Sequence, residues 1–210
     1  MSTKKLVVLV MSLALVMACM VGMTTAYLTS TSDPINNVLQ AGKTEVTEEE
    51  PEWDPEDPHP LIPSSVYAKD PTATLKKGSV PSYVFMEVTA TQAMRDILDA
   101  TAGYPTVNAD WTWYKDVENG TSITSIYYYS GTALDGIEGV SAEDIELAPL
   151  FEQIKIKADA TADQLVAALG SASADATASI SIVAKSCQKE GFNSAVSAYD
   201  AAFAPAPQEP

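Results

Sequence analysis

Residues 111–130 read Trp111-Thr112-Trp113-Tyr114-Lys115-Asp116-Val117-Glu118-Asn119-Gly120-Thr121-Ser122-Ile123-Thr124-Ser125-Ile126-Tyr127-Tyr128-Tyr129-Ser130, and they decide the fold. Both ends of the stretch are dense in aromatic and β-branched side chains, which suit a pleated, half-buried surface. Between them lies Glu118-Asn119-Gly120. Asn-Gly readily adopts the left-handed backbone of a tight hairpin turn. The stretch therefore predicts two antiparallel strands, 111–116 and 123–130, folded back on each other. Alternation puts Trp111 and Trp113 on one strand face, where core packing accounts for them; with Tyr114 they also fit a carbohydrate-binding platform. Tyr127-Tyr128-Tyr129 is expected to leave at least one ring outside, available to a partner. Asn119-Gly120-Thr121 matches a glycosylation sequon, but the turn by itself accounts for these residues.

Working outward, residues 82–90 alternate Tyr83, Phe85 and Glu87 with Val84, Met86 and Val88. Both sides are largely apolar, the mark of a central strand. Residues 151–157 set Ile154 and Ile156 against Lys155 and Lys157, one face buried and one wet. Further strands are expected near 43–48, over 64–75 with Pro71 at an edge or bulge, and over 180–185. Short helices are expected over 92–100 (Met94, Ile97 and Leu98 on one face), after the capping box Thr161-Ala162-Asp163-Gln164 up to Gly170, and over 193–203. About seven short strands with small helical insertions give a mostly-β fold, an antiparallel jelly-roll-like β-sandwich.

The N-terminus reads as a secretory leader. Lys4 and Lys5 precede an apolar run from Leu6 to Met23, followed by Thr24-Thr25-Ala26. Cleavage is expected after Ala26, with Thr24 and Ala26 read by the peptidase and Tyr27 as the new N-terminus. An uncleaved anchor and lipoprotein processing at Cys19 are the other two routes these residues fit. All three place the remainder outside the cytoplasm. The expected organisation is signal peptide 1–26, N-terminal extended segment and first strand 27–47, sandwich domain 48–203 with an acidic Pro-rich loop at 48–60, and a disordered tail 204–210.

The chain of 210 residues carries 12 Lys and Arg against 28 Asp and Glu, a formal net charge of −16. Loss of Lys4 and Lys5 with the leader makes the remainder more acidic still. Such a charge argues against nucleic acid and anionic membranes as partners; the membrane enters only through the leader. After cleavage Cys187 is the sole cysteine, so no internal disulfide can form. It is expected as a small buried hydrophobe, with pairing to another chain as the alternative.

Catalytic signatures are thin. There is no H-E-x-x-H, no G-x-S-x-G and no phosphate-binding glycine loop, and the single His59 lies in the Pro-rich loop. No cofactor is implied. The run Glu48, Glu49, Glu50, Glu52, Asp54, Glu56, Asp57 surrounds Trp53. Carboxylates alone suit calcium better than zinc, so Glu50, Glu52, Asp54, Glu56 and Asp57 are the calcium candidates; a solvated acidic loop is the competing reading.

Several patches resemble one family. They are Ala26-Tyr27-Leu28-Thr29-Ser30-Thr31-Ser32-Asp33, then Asn36-Asn37-Val38, then Ala41-Gly42-Lys43-Thr44-Glu45-Val46. Next comes Lys69-Asp70-Pro71-Thr72-Ala73-Thr74, and after it Gly78-Ser79 with Pro81-Ser82-Tyr83-Val84. Later patches are Tyr127-Tyr128-Tyr129, Ala148-Pro149-Leu150-Phe151 and Cys187-Gln188-Lys189-Glu190-Gly191-Phe192. Together they resemble the TasA/camelysin family of Gram-positive exported proteins, released by the signal peptidase SipW. Leu75 and Cys187 depart from that family's pattern, and residues 90–120 and 158–178 match little of it. The resemblance implies a jelly-roll-like sandwich at the cell surface or in the biofilm matrix. It also implies a fibre or accessory subunit, with like subunits or matrix proteins as partners and a SipW-type peptidase acting on the leader. Donor-strand exchange needs an extended segment with side chains for the neighbour's pockets. Residues 27–40 supply it, with Tyr27, Leu28, Ile35, Val38 and Leu39 as the candidate donors. The alternatives are a camelysin-type extracellular metal-dependent protease, a monomeric surface adhesin, and a monomer whose N-terminal strand folds into its own sheet.

Overall fold

The computed structural model describes residues 3–8, 11, 42–54, 56, 59–171, 173 and 176–203. The chain divides into two compact units, residues 1–40 and 41–210. In the first, residues 3–8 are helical. Everything that follows concerns the second.

The fold is mostly β, with short helices and three sheets. Among the described residues nine strands run in chain order: β1 Val46–Glu49, β2 Val66–Ala68, β3 Thr72–Leu75, β4 Ser82–Thr91, β5 Trp111–Asn119, β6 Ser122–Tyr129, β7 Ile145–Glu146, β8 Gln153–Lys155 and β9 Ser181–Gln188. The largest sheet has the order β5-β6-β4-β9; a second is β1-β3-β7 and a third β2-β8. Every strand pair is antiparallel.

β4 is central, as its apolar alternation predicts. Val84, Met86, Val88 and Ala90 point to one face and Phe85 to the other, all buried. The first set joins the main core with Trp111, Tyr127 and Tyr129 of the same sheet, Ala73 and Leu75 of β3, and Ile154 of β8. The opposite face carries a second core, in which Phe85, Ile126 and Cys187 meet Ala195, Ala198 and Tyr199 of the last helix. Both faces of the sheet are thus covered, and each large apolar side chain withdrawn from water contributes roughly 1.5–3 kcal/mol.

The hairpin forms where expected, with its turn one step later. Asn119 pairs with Ser122, so the loop is Gly120-Thr121 and Glu118 and Asn119 belong to the strand. Gly120 takes φ +64°, a left-handed value that a side chain resists. A bulge follows Trp113: Trp113 faces Tyr127, while Lys115 faces Ile126. Tyr114 is the extra residue, so Tyr114 and Lys115 both reach the outer face.

Segment 64–75, expected as one strand, is two strands in two sheets. Pro71 has no N–H to continue a ladder. It is buried at the junction, and its carbonyl accepts from Leu150 N. The helix expected over 92–100 is α1, Gln92–Asp96, capped by Thr91 Oγ1 accepting from Met94 N. It stops early because Leu98 is drawn into a bridge with Ile156. α2, Ala162–Leu169, has the predicted capping box and ends on Gly170 at φ +73°. α3, Ala195–Ala202, is capped by Ser194. No helix among the described residues is long and apolar enough to cross a membrane.

Candidate functional site

Three features stand out: the free edges of the main sheet, a polar network under α3, and a cleft beside the acidic loop. β5 and β9 terminate the main sheet, and among the described residues neither pairs on its outer side. The two edges differ. β5 carries the bulge together with Lys115, Asp116 and Glu118, devices that discourage pairing with a foreign strand. β9 is regular over eight residues and leaves Val183 47% exposed. Beside it, Thr44 Oγ1 donates to Ser186 Oγ at 2.9 Å, and Gly42 lies against Val80 and Gln188.

On the outer face, Glu87 accepts from Lys185 Nζ at 2.5 Å and from the Tyr199 hydroxyl. Asp200 accepts from Lys115 Nζ at 2.8 Å and from Tyr114 Oη at 2.7 Å. Those two bonds hold the Asp200 carboxyl below the usual carboxylate range. The bulge makes this clamp, because it delivers Tyr114 and Lys115 to the same helix residue. Beneath α3, Cys187 is buried and unpaired, and burial pushes its thiol up.

The acidic loop is tied down by aromatic stacking. Trp53 and His59 stack with ring centres 3.8 Å apart, and Tyr67 meets His59 edge-on at 5.3 Å. The Tyr67 hydroxyl donates to Pro60 O. Lys69 Nζ sits 4.6 Å from the Trp53 ring centre and pairs with both Glu50 oxygens, at 2.5 and 2.6 Å. Lys69 is buried, which only such a partner makes affordable. These residues line a cleft of about 930 Å³ whose apolar walls include Leu61, Met94, Ile154, Ile180 and Ile182. Glu48 lines it too. One of its carboxylate oxygens, Oε1, is sealed from solvent and has no hydrogen-bond partner among the described residues. Burial, then the neighbouring Glu50 carboxylate, raises its pKa.

The structure does not bring the calcium candidates together. Glu50 is committed to Lys69, Asp54 caps Glu56 N, and Glu52 and Glu56 are exposed. Asp57 lies outside the described residues. Among those described, no group of three or more His, Cys, Asp and Glu is placed to hold a metal ion. Glu48 lies in β1, as the strand expected near 43–48 has it, and Glu49, expected in the loop, closes that strand. The cleavage residues Thr24, Ala26 and Tyr27 lie outside the described residues, as do the donor candidates Tyr27, Leu28, Ile35, Val38 and Leu39 and the tail 204–210.

Two aromatic expectations are corrected. Trp111 is buried, its Nε1 donating to Ala148 O at 2.8 Å, whereas Trp113 is 57% exposed. Both face the same side, but β5 is an edge strand and the covering layer ends before Trp113. They form no flat platform. The tyrosine run exposes no full ring: Tyr127 and Tyr129 enter the main core, and Tyr128, half-buried, packs against the second, because the sheet is covered on both faces. Sequence reading missed Tyr67 and Lys69 as partners of the acidic loop. The available signal was Trp53 and His59 themselves, two rings in a loop otherwise built of acids and prolines. No family model, curated protein or solved structure matches this chain.

Proposed function

We propose that this chain is an exported, non-catalytic structural protein of a Gram-positive cell surface or biofilm matrix, a fibre or accessory subunit. It joins like subunits by strand addition, the segment 27–40 of one copy extending a sheet of the next. The observation that carries the reading is the regular edge of β9, unpaired among the described residues, beside residues 42–44. An open edge offers a row of N–H and C=O groups to an extended segment, and alternate side chains set its register. A head-to-tail contact of this kind does not close, so it grows filaments. The resemblance to the TasA/camelysin family supports the same reading, including removal of the leader by a SipW-type peptidase. His59, the one histidine a metalloprotease could recruit, is used in the loop's own stack.

The test is to produce the chain from Tyr27 and image it. Filaments are expected, lost on deletion of residues 27–40 and slowed by Val183→Lys on the β9 edge. Added salt should speed assembly by screening a net charge that, without Lys4 and Lys5, is −18. Monomers under every salt and calcium condition would refute the proposal.

A further inference from the structure

The cleft between the acidic loop and the start of β9 has the dimensions of a ligand site. Its volume of about 930 Å³ falls within the range of small-molecule pockets, about 300–1,000 Å³. Its walls pair aliphatic side chains, Met94, Ile154 and Ile182, with the Tyr67 and His59 rings. The sugar-platform reading fails here, since one face of Trp53 is covered by His59 and Lys69 lies over the ring.

The charges select among the remaining ligands. The cleft holds two carboxylates, Glu48 and Glu50, and one ammonium, Lys69. Lys69 is bidentate on Glu50. Glu48 forms no ion pair among the described residues, and its Oε1 lacks any donor. A carboxylate half-withdrawn from water without a partner is costly, and the cost is relieved by a cation or a strong donor. Val46 and Glu48 share a strand face, and Val46 packs on the main core, so the Glu48 side chain is directed inward.

We propose that this cleft binds small apolar amines, the hydrocarbon body against Met94, Ile154 and Ile182 and the ammonium on the Glu48 carboxylate. The site already shows the chemistry in miniature: the protein's own Lys69 places an ammonium between the Glu50 carboxylate and an indole face. This site stands apart from the strand-addition reading and survives its failure.

The test is calorimetric titration of the full chain with phenethylamine and, in parallel, with phenethyl alcohol, its neutral counterpart. The amine is expected to bind saturably and the alcohol about tenfold or more weakly, the effect of losing a charge-assisted bond. Glu48→Gln should lower amine affinity about tenfold and leave the alcohol unchanged. Ala178→Phe, which puts a ring into the cleft lining, should weaken both. Equal affinity for amine and alcohol would overturn the proposal, as would undiminished amine binding in Glu48→Gln or no saturable heat from folded protein. Such a result would leave Glu48 as an inward charge that merely blunts the β1 edge. If Glu48→Gln fails to fold, the amine-to-alcohol ratio in the unaltered chain and its fall with added salt decide the question.

Discussion

The two faces of the main sheet are held by different physics. The inner face meets the other two sheets through Val84, Met86, Val88, Trp111 and Tyr127, an apolar contact whose strength is set by area and fit. The outer face meets one eight-residue helix, α3, through a smaller apolar patch rimmed by the Glu87–Lys185–Tyr199 and Asp200–Lys115–Tyr114 clusters. A large non-directional contact tolerates imprecision. A small helix cannot supply that area, so directional bonds must fix its place.

The largest effect should come from the inner face. Trp111→Ala removes a buried ring and its bond to Ala148 O, and is expected to cost about 3–5 kcal/mol in denaturant unfolding. On the outer face, Glu87→Leu should cost about 1–3 kcal/mol by leaving Lys185 and Tyr199 without an acceptor. Hydrogen exchange should then rise in α3 well before it rises in β4. If both substitutions unfold the chain as one unit, the distinction between the faces is wrong.

Acid should sharpen the contrast. Asp200 and Asp116 have depressed folded-state values, so the stability they contribute is present above the ordinary carboxylate pKa and is lost as pH falls through the folded one. Asp99, held at about 2 by Thr101 and Lys155 against a usual 3.8, loses its share across that interval. Glu48 runs the other way. Its raised value means a contribution present at low pH and lost as pH rises through the folded value. Protection of α3 amides, taken relative to their intrinsic exchange rate at each pH, should therefore fall as Asp200 protonates, while that of β1 does not follow. The smallest effect belongs to the turn: Gly120→Ala, at φ +64° with open space around it, should cost about 1 kcal/mol through backbone strain alone.

Much of the fold is legible in the sequence. β4 announces itself by an apolar pattern on both faces, the hairpin by Asn119-Gly120, and α2 by Thr161, Gln164 and Gly170, because each signal is local. What failed was also instructive. Segment 64–75 looks continuous until Pro71 is given a sheet on either side, and the tyrosine run looks half exposed until α3 is laid over it. The cleft was the least legible feature. Trp53 and His59 were visible in the acidic loop, but Tyr67, Lys69 and Ile182 come from other segments.

The amino-acid sequence alone determined the strand-rich character, the caps and turns, and the acidic chemistry of a chain with one cysteine after residue 26, since these depend on residue types and short spacings. Only the tertiary structure decided which edge of the sheet stays regular and, among the described residues, open. It also decided which tryptophan is buried, and that Lys69 pairs with Glu50 while Glu48 forms no ion pair among the described residues. Those outcomes turn on contacts between residues far apart in the chain, and the geometry of such contacts is set by packing rather than by local pattern.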